Sequence, residues 1–330
     1  MTTSEPMPFS WANLHAATCD DAGNVYVLSS QSESEWTLTS LDPARRVRWT
    51  TPAPARWGYM ESARKLALCA WAASGSLVVW TKGQSVAQVV SCVDGRALGT
   101  ITGGDANVDL ARAQSLAVDR DGSFVSVTAG IMRRHTAEGR PMPLWEGNAL
   151  TELALAPPSK VNDVLALVGW DGATWVTTYA VKGMMWGENW DTILPRWRRF
   201  DRRGQTSVWS ERYFLLYESE IGWVDRAGHP FAAWIVAGAY PRVMRYTPDA
   251  TSYEYWLLSS AGPQVDQKQF DAELQRPTRE PSRMGEENVL ALAPDGTIWA
   301  FGSMDQLRCF GPDGAPSYVS PKSHAADAAA

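Results

Sequence analysis

The chain of 330 residues offers few groups for covalent chemistry, and their spacing points to no reaction. The four histidines, His15, His135, His229 and His324, are scattered. No H-E-x-x-H or Cys/His ligand spacing occurs, so no zinc site and no other metal site is expected. His135 falls in a strand pattern and His229 in a turn, where a structural role is expected. Cys19, Cys69, Cys92 and Cys309 stand far apart in apolar, strand-like runs. There a thiol behaves as a small hydrophobe, so four reduced core cysteines are expected. No G-x-S-x-G elbow, Walker loop or dinucleotide glycine loop is present, and no cofactor is expected. TGGDAN (102–107) is glycine-rich but precedes no evident helix, which argues against a phosphate cradle. DRDG (119–122) begins like a calcium loop but lacks the remaining ligands, and Asp-Gly is itself a hairpin-turn signal.

Residues suited to binding are concentrated in four long irregular segments. Residues 51–65 carry Trp57, Tyr59 and Glu61, and residues 102–114 carry Asp105 and Asp109. Residues 182–197 carry Trp186 and Trp190, and residues 271–288 carry Arg276, Arg279 and Arg283. Aromatic and arginine side chains in loops make up the hot spots of protein interfaces. A protein partner is therefore expected. PRWRRFDRR (195–203) places five arginines, from Arg196 to Arg203, around Trp197 and Phe200. Arginine beside aromatics suits phosphate contact and base stacking. An exposed hairpin whose arginine stems cover apolar surface has the same composition. The net charge of −6 argues against nucleic acid as the partner and against an anionic membrane surface.

The elements that must position these residues repeat along the chain. ATCDDAGNVYVLSS (17–30), LCAWAASGSLVVWTKG (68–83), LAVDRDGSFVSVTAG (116–130) and LALAPDGTIWAFGS (290–303) are pairs of alternating strands around a glycine turn. A second unit follows: a short strand, a turn with an acidic residue, and a strand that often ends in tryptophan. Its instances are SLDPARRVRW (40–49), RHTAEGRPMPLW (134–145), RRFDRRGQTSVW (198–209) and WVDRAGHPFAAW (223–234). Together the units make four antiparallel strands. Turns between first and second strands are expected near residues 23, 75, 122, 160, 211, 250 and 295. The spacing of about 45 residues is that of a propeller blade. An all-β propeller of four-stranded blades is expected because radial repetition buries both faces of every sheet. Seven blades are expected, at 14–51, 66–102, 115–146, 150–200, 205–237, 241–271 and 288–320, with six or eight open. Residues 1–320 form one domain in this reading, and 321–330 a disordered tail. The content of 45% hydrophobic and 20% charged residues suits one large core. No run approaches 18 apolar residues and no secretory signal is visible, so a cytoplasmic protein without a membrane span is expected.

These repeats carry two resemblances. LAVDRDGSFVSVTAG with MRRHTAEGRP, and LALAPDGTIWAFGS with LRCFGPDGAP, resemble NHL repeats, although the Asn-Arg pair of that pattern is absent. LDPARRVRWTTPA resembles the repeat of PQQ-type propellers, in which a tryptophan docks between blades. That resemblance implies docking roles for Trp49, Trp145, Trp209 and Trp234. Trp57, Trp186 and Trp190 fall outside the pattern. Stand-alone propellers of this size and Ala-, Arg- and Trp-rich, bacterial-looking composition resemble accessory partners of MoxR-type ATPase systems. A non-enzymatic interaction module is the resulting expectation. The alternative is a lactonase, since NHL-like folds resemble the SMP-30 and gluconolactonase propellers. Those hold a divalent metal at the channel mouth with oxygen ligands from the starts of first strands. The corresponding positions are Asn13, Gln114, Glu152 and Asn288, with one carboxylate among them. A PQQ-type dehydrogenase ranks last, for want of a calcium-binding carboxylate set.

Overall fold

The computed structural model describes residues 14–30, 35–53, 66–102, 109–155, 163–179, 196–210, 220–234, 242–248, 253–257, 289–301 and 306–320. They form six antiparallel sheets, each from a contiguous piece of chain. Blade one contains β1 (Leu14–Cys19), β2 (Val25–Ser30), β3 (Trp36–Leu41) and β4 (Val47–Pro52). Blade two contains β5 (Leu66–Trp71), β6 (Ser76–Thr81), β7 (Val86–Ser91) and β8 (Ala97–Thr102). Blade three contains β9 (Ala113–Val118), β10 (Phe124–Thr128), β11 (Ile131–His135), β12 (Pro141–Met142) and β13 (Glu152–Ala154). Both β12 and β13 pair with β11, so its outer edge is shared by two short strands. Blade four contains β14 (Asp163–Val168), β15 (Thr174–Tyr179), β16 (Arg196–Phe200) and β17 (Thr206–Ser210). Blade five contains β18 (Glu220–Val224), β19 (Pro230–Trp234), β20 (Arg242–Tyr246) and β21 (Tyr253–Leu257). Blade six contains β22 (Val289–Leu292), β23 (Ile298–Phe301), β24 (Leu307–Phe310) and β25 (Pro316–Val319).

First strands pack on first strands around the axis, and β22 returns to β1. The burial gradient follows from that geometry. β2, VYVLSS, is buried throughout because neighbouring blades cover both of its faces. β4, VRWTTP, alternates between half-buried and exposed because it is an outer edge. The core consists of inter-blade seams. Tyr26, Leu28 and Leu38 pack on Leu77, Val79 and Val90 between blades one and two. Phe231 and Val243 pack on Leu292 and Phe310 between blades five and six. Leu14, Val25 and Leu41 pack on Trp299, Phe301 and Leu307, closing the ring without exchange of a strand among the described residues.

Each first-to-second-strand turn has one form. The N–H of residue one bonds the carbonyl of residue five in five blades, as Asp119 does with Ser123. A glycine in fourth place has positive φ in all six: Gly23, Gly75, Gly122, Gly172, Gly228 and Gly296. The third-to-fourth-strand turns of blades three, four and six have the same form, with Gly139, Gly204 and Gly314 in that place, while that of blade two is one residue longer, from Ser91 N–H to Arg96 O, with Gly95 fifth. Arg45, at φ 70°, takes the fourth place in blade one.

This shared form corrects the seven-blade expectation to six. WVDRAGHPFAAW is a first-to-second-strand hairpin, β18 to β19, and not an outer hairpin. The turn at Gly172, between β14 and β15, opens blade four. The turns expected near 160 and 211 fall outside the described residues, in the connections from β13 to β14 and from β17 to β18. The turn near 250 joins β20 to β21, the third and fourth strands of blade five. The last four expected blades are therefore three, because two hairpin types with the same turn chemistry exchanged places.

The docking tryptophans divide accordingly. The Trp49 indole donates to the Cys92 carbonyl of blade two at 3.1 Å. A Cβ on Gly95 would stand 2.6 Å from that ring. Trp145 covers Gly204 of blade four in the same way and stacks on Phe200 at 4.8 Å. Trp209 lies on the fourth strand β17. Trp234 ends the second strand β19 and so is not a fourth-strand docking residue. The tail at 321–330 lies outside the described residues.

Candidate functional site

Strand direction sorts the connections onto two faces. First-to-second and third-to-fourth turns lie on one face, here the turn face. The connections between second and third strands, and between blades, leave the strands at the opposite end, the loop face. The segments 54–65, 103–108 and 258–288 join fourth strands to the next first strands. Residues 180–195 join β15 to β16. All four therefore depart from strand ends on the loop face. Trp57, Tyr59, Glu61, Asp105, Trp186, Trp190, Arg276, Arg279 and Arg283 fall in these segments, outside the described residues. Asp109 is described. Its carboxylate accepts the Arg112 N–H at 3.2 Å, capping a single 3₁₀ turn, Leu110–Arg112. It also faces the Arg112 guanidinium at 3.3 Å.

The set expected for a lactonase metal is not brought together by its described members. Gln114, on the innermost strand β9, accepts the Gly130 N–H at 2.9 Å. Glu152 lies on the outer strand β13, correcting its placement at the start of a first strand. There it pairs with Arg133 at 2.8 Å. Asn13 and Asn288 lie outside the described residues. Among the described residues no three His, Cys, Asp or Glu side chains are grouped to hold a metal ion.

The remaining chemical candidates are engaged in the fold. His15, at a bulge in β1, stacks on Trp36 at 4.1 Å. Its Nε2 lies 2.8 Å from the Ser30 hydroxyl, and burial holds its pKa down. His135 is fully buried, stacks on Phe124 at 4.9 Å and meets Ser126 at 3.1 Å. Burial, with the Arg133 charge second, lowers its pKa to about 4. His229 Nδ1 lies 3.0 Å from Asp225. The four cysteines are free thiols. Burial pushes Cys92 up to about 11 and Cys309 up to about 12, the reverse of what a nucleophilic thiolate requires. In the arginine cluster, Arg199 pairs with Asp171 at 3.2 Å and Arg202 faces Glu146 at 3.7 Å. Part of its charge is thus used at the blade three–four seam and within blade four.

The turn face holds a network that no single motif announces. The second residues of the opening turns are Asp21, Ala73, Arg120, Trp170, Arg226 and Pro294, and all but Pro294 make contacts between blades. Trp170 of blade four contacts Trp71 of blade two edge to face at 4.6 Å. Its indole donates to Leu292 O of blade six at 3.4 Å, and its backbone N–H donates to Val224 O of blade five at 3.0 Å. A side chain that reaches from blade four to blades two and six occupies the axis. Trp71 donates to Val118 O of blade three at 2.7 Å. The Asp21 carboxylate accepts the Ala72 and Ala73 N–H groups of blade two. Arg120 Nε stands 3.8 Å from it, and Arg226 donates to Asp21 O at 2.7 Å. These contacts link all six blades and close the axis on the turn face. Aligning the six turns of the sequence on their glycines would have found this ring. The half-blade slip in the second half of the chain concealed it.

No protein-family model matches the chain, and no curated protein matches it. Solved structures similar to it include TolB from Acinetobacter baumannii, at 11% identity and TM-score 0.46 over 90% of this chain. The chain spans 64% of the length of that TolB chain. The WD40 repeats of RRP9 are similar at 10% identity and TM-score 0.48, covering 94% of this chain and 81% of that one. Hydrazine synthase of Kuenenia stuttgartiensis is similar at 12% identity and TM-score 0.44, covering 98% of each chain. Likeness at this level is one of architecture and transfers no activity.

Proposed function

We propose that this chain is a non-enzymatic interaction module whose loop face holds a protein partner. The observation that carries the reading is the asymmetry of the two faces. Trp170, Trp71 and the Asp21 contacts close the axis on the turn face. The four long segments, with nine of the ten residues chosen from sequence as binding candidates, leave the strands at the other end. Long loops on a rigid scaffold are where binding residues concentrate. We further propose the cytoplasm as its compartment, supported by four free thiols. An accessory role in a bacterial ATPase-linked system rests on resemblance in size and composition. The docking of Trp49 and Trp145 over the next turn's glycine supports kinship with PQQ-like repeats.

The test uses Trp57→Ala and Trp186→Ala, each melted beside an affinity capture from native cells, with captured proteins identified by mass spectrometry. The expected outcome is an unchanged melting temperature and capture weakened by about 2 kcal/mol, roughly thirtyfold. A loss of about 3–5 kcal/mol of folding stability with capture intact would show both residues to be blade cover.

A further inference from the structure

We infer that the closed axial spot on the turn face is itself a binding site, for a carboxylate of an acidic peptide segment. Arg120 and Arg226 project from blades three and five, on either side of the half-buried Trp170 of blade four. Both reach across the axis to Asp21 of blade one. Each guanidinium has five N–H donors. Arg226 donates one hydrogen bond to a neutral carbonyl, Asp21 O. Arg120, with its side chain 63% exposed, stands at 3.8 Å from the Asp21 carboxylate, beyond hydrogen-bonding distance. Asp21 Oδ1 is already occupied by two backbone N–H groups of blade two. Two cations thus meet one residue, Arg120 at the Asp21 carboxylate and Arg226 at the Asp21 backbone carbonyl, beside an indole.

The other members of the ring, Ala73, Trp170 and Pro294, carry no charge. The neighbouring Asp121 and Asp295 are tied into their own turns, by Ser123 at 2.9 Å and by the Thr297 N–H at 2.9 Å. With Arg120 and Arg226 against Asp21, the six second-place residues carry a formal charge of +1 within a protein of net charge −6. Guanidinium forks match a carboxylate in geometry, and an indole face accepts an apolar side chain of the same ligand. The Trp170–Trp71 floor makes the site shallow. A small dicarboxylate would bury little surface there, whereas an acidic strand laid across the axis can meet both arginines. The site takes a partner on the face opposite the one in the proposed function, so the two readings fail separately.

The test is isothermal titration at 50 mM salt with an acetylated, amidated hexaglutamate peptide, beside free glutarate and an eight-nucleotide thymidine strand. The peptide is expected to bind at least tenfold more tightly than glutarate, and to weaken as salt rises to 300 mM. Arg120→Gln and Arg226→Gln should each weaken it at least fivefold, with melting temperature followed alongside. Asp21→Asn keeps an acceptor for the blade-two N–H groups and removes the competing charge, so it should tighten binding severalfold. That readout does not depend on the arginine variants folding. Absence of peptide binding, binding indifferent to both arginines, or weakening in Asp21→Asn would overturn the proposal. Glutarate binding as tightly as the peptide would do so in favour of a small-molecule site. Tighter binding of the thymidine strand would do so in favour of nucleic acid.

Discussion

Residue identity decides most where the backbone leaves little room. At Gly95, φ is +75° and the Trp49 ring stands where a Cβ would go. At Gly83, φ is +93° but nothing lies within 4 Å. Gly83→Ala is therefore expected to cost about 1 kcal/mol, the backbone part alone. Gly95→Ala adds overpacking against Trp49, for a total of about 2–4 kcal/mol. Urea denaturation of both variants checks this, and equal costs would mean that Trp49 does not dock on the turn. His135 is the residue with a pH signature. Its pKa is about 4 when folded and 6.5 when unfolded, so the unfolded chain takes up its proton first on acidification. Its contribution is fully present above pH 6.5 and falls by about 3 kcal/mol on descent through pH 4. His135→Gln should remove that slope, measured as the difference between wild-type and variant stability across the window. A slope unchanged by the variant would assign the acid sensitivity to other groups.

Elements are held together by a recurring clip. An aspartate in the opening turn reaches an arginine on the third strand of the same blade: Asp119 to Arg134, Asp171 to Arg199, and Asp225 to Arg245. The aspartate side chains are nearly buried and also accept turn N–H groups, as Asp225 does from Ala227 and His229. Removing one partner of such a pair leaves a buried charge unmet. Asp119→Ala is expected to cost about 3–5 kcal/mol. The outer-turn pair Asp42–Arg46 is the control, with the Arg46 side chain 80% exposed. Arg46→Ala should cost under about 1 kcal/mol, since solvent screens such pairs. Thermal melting of the two variants separates a clip from surface decoration. The same clip explains why Asp-Gly and Asp-x-x-Gly turns recur without forming calcium loops. Their carboxylates are spent on turn amides and arginines.

At the scale of the whole molecule, no strand is exchanged between blades among the described residues, so the integrity of the ring there rests on seams and on the axial contacts. Trp170 joins blade four to blades two and six, which are not adjacent to it in the ring. Trp170→Ala should lower stability by about 3–5 kcal/mol. A double-mutant cycle with Trp71→Ala should return a coupling of about 0.5–1.5 kcal/mol, as expected for an edge-to-face aromatic pair. A coupling near zero would show that the two indoles fill space independently and that the axis is not closed by their contact.

The all-β class, the four-stranded blade and the docking of Trp49 and Trp145 were legible in residue order. Alternation, turn glycines and a tryptophan at fixed spacing are local consequences of a strand covered on one or both faces. The opening turns at Gly23, Gly75, Gly122 and Gly296 stand where the sequence places them, each between two clearly alternating strands. Between residues 150 and 271 the phase was lost. Gly172 and Gly228 occupy opening turns whose hydrogen-bonded form is also that of the outer turns, so local chemistry does not distinguish the inner hairpin from the outer one. Only packing about the axis does, because an inner strand must meet inner strands of two other blades. The same reason hid the ring of Asp21, Arg120, Trp170 and Arg226. These residues lie up to 205 positions apart, and their contacts exist only once six separate turns converge on one point.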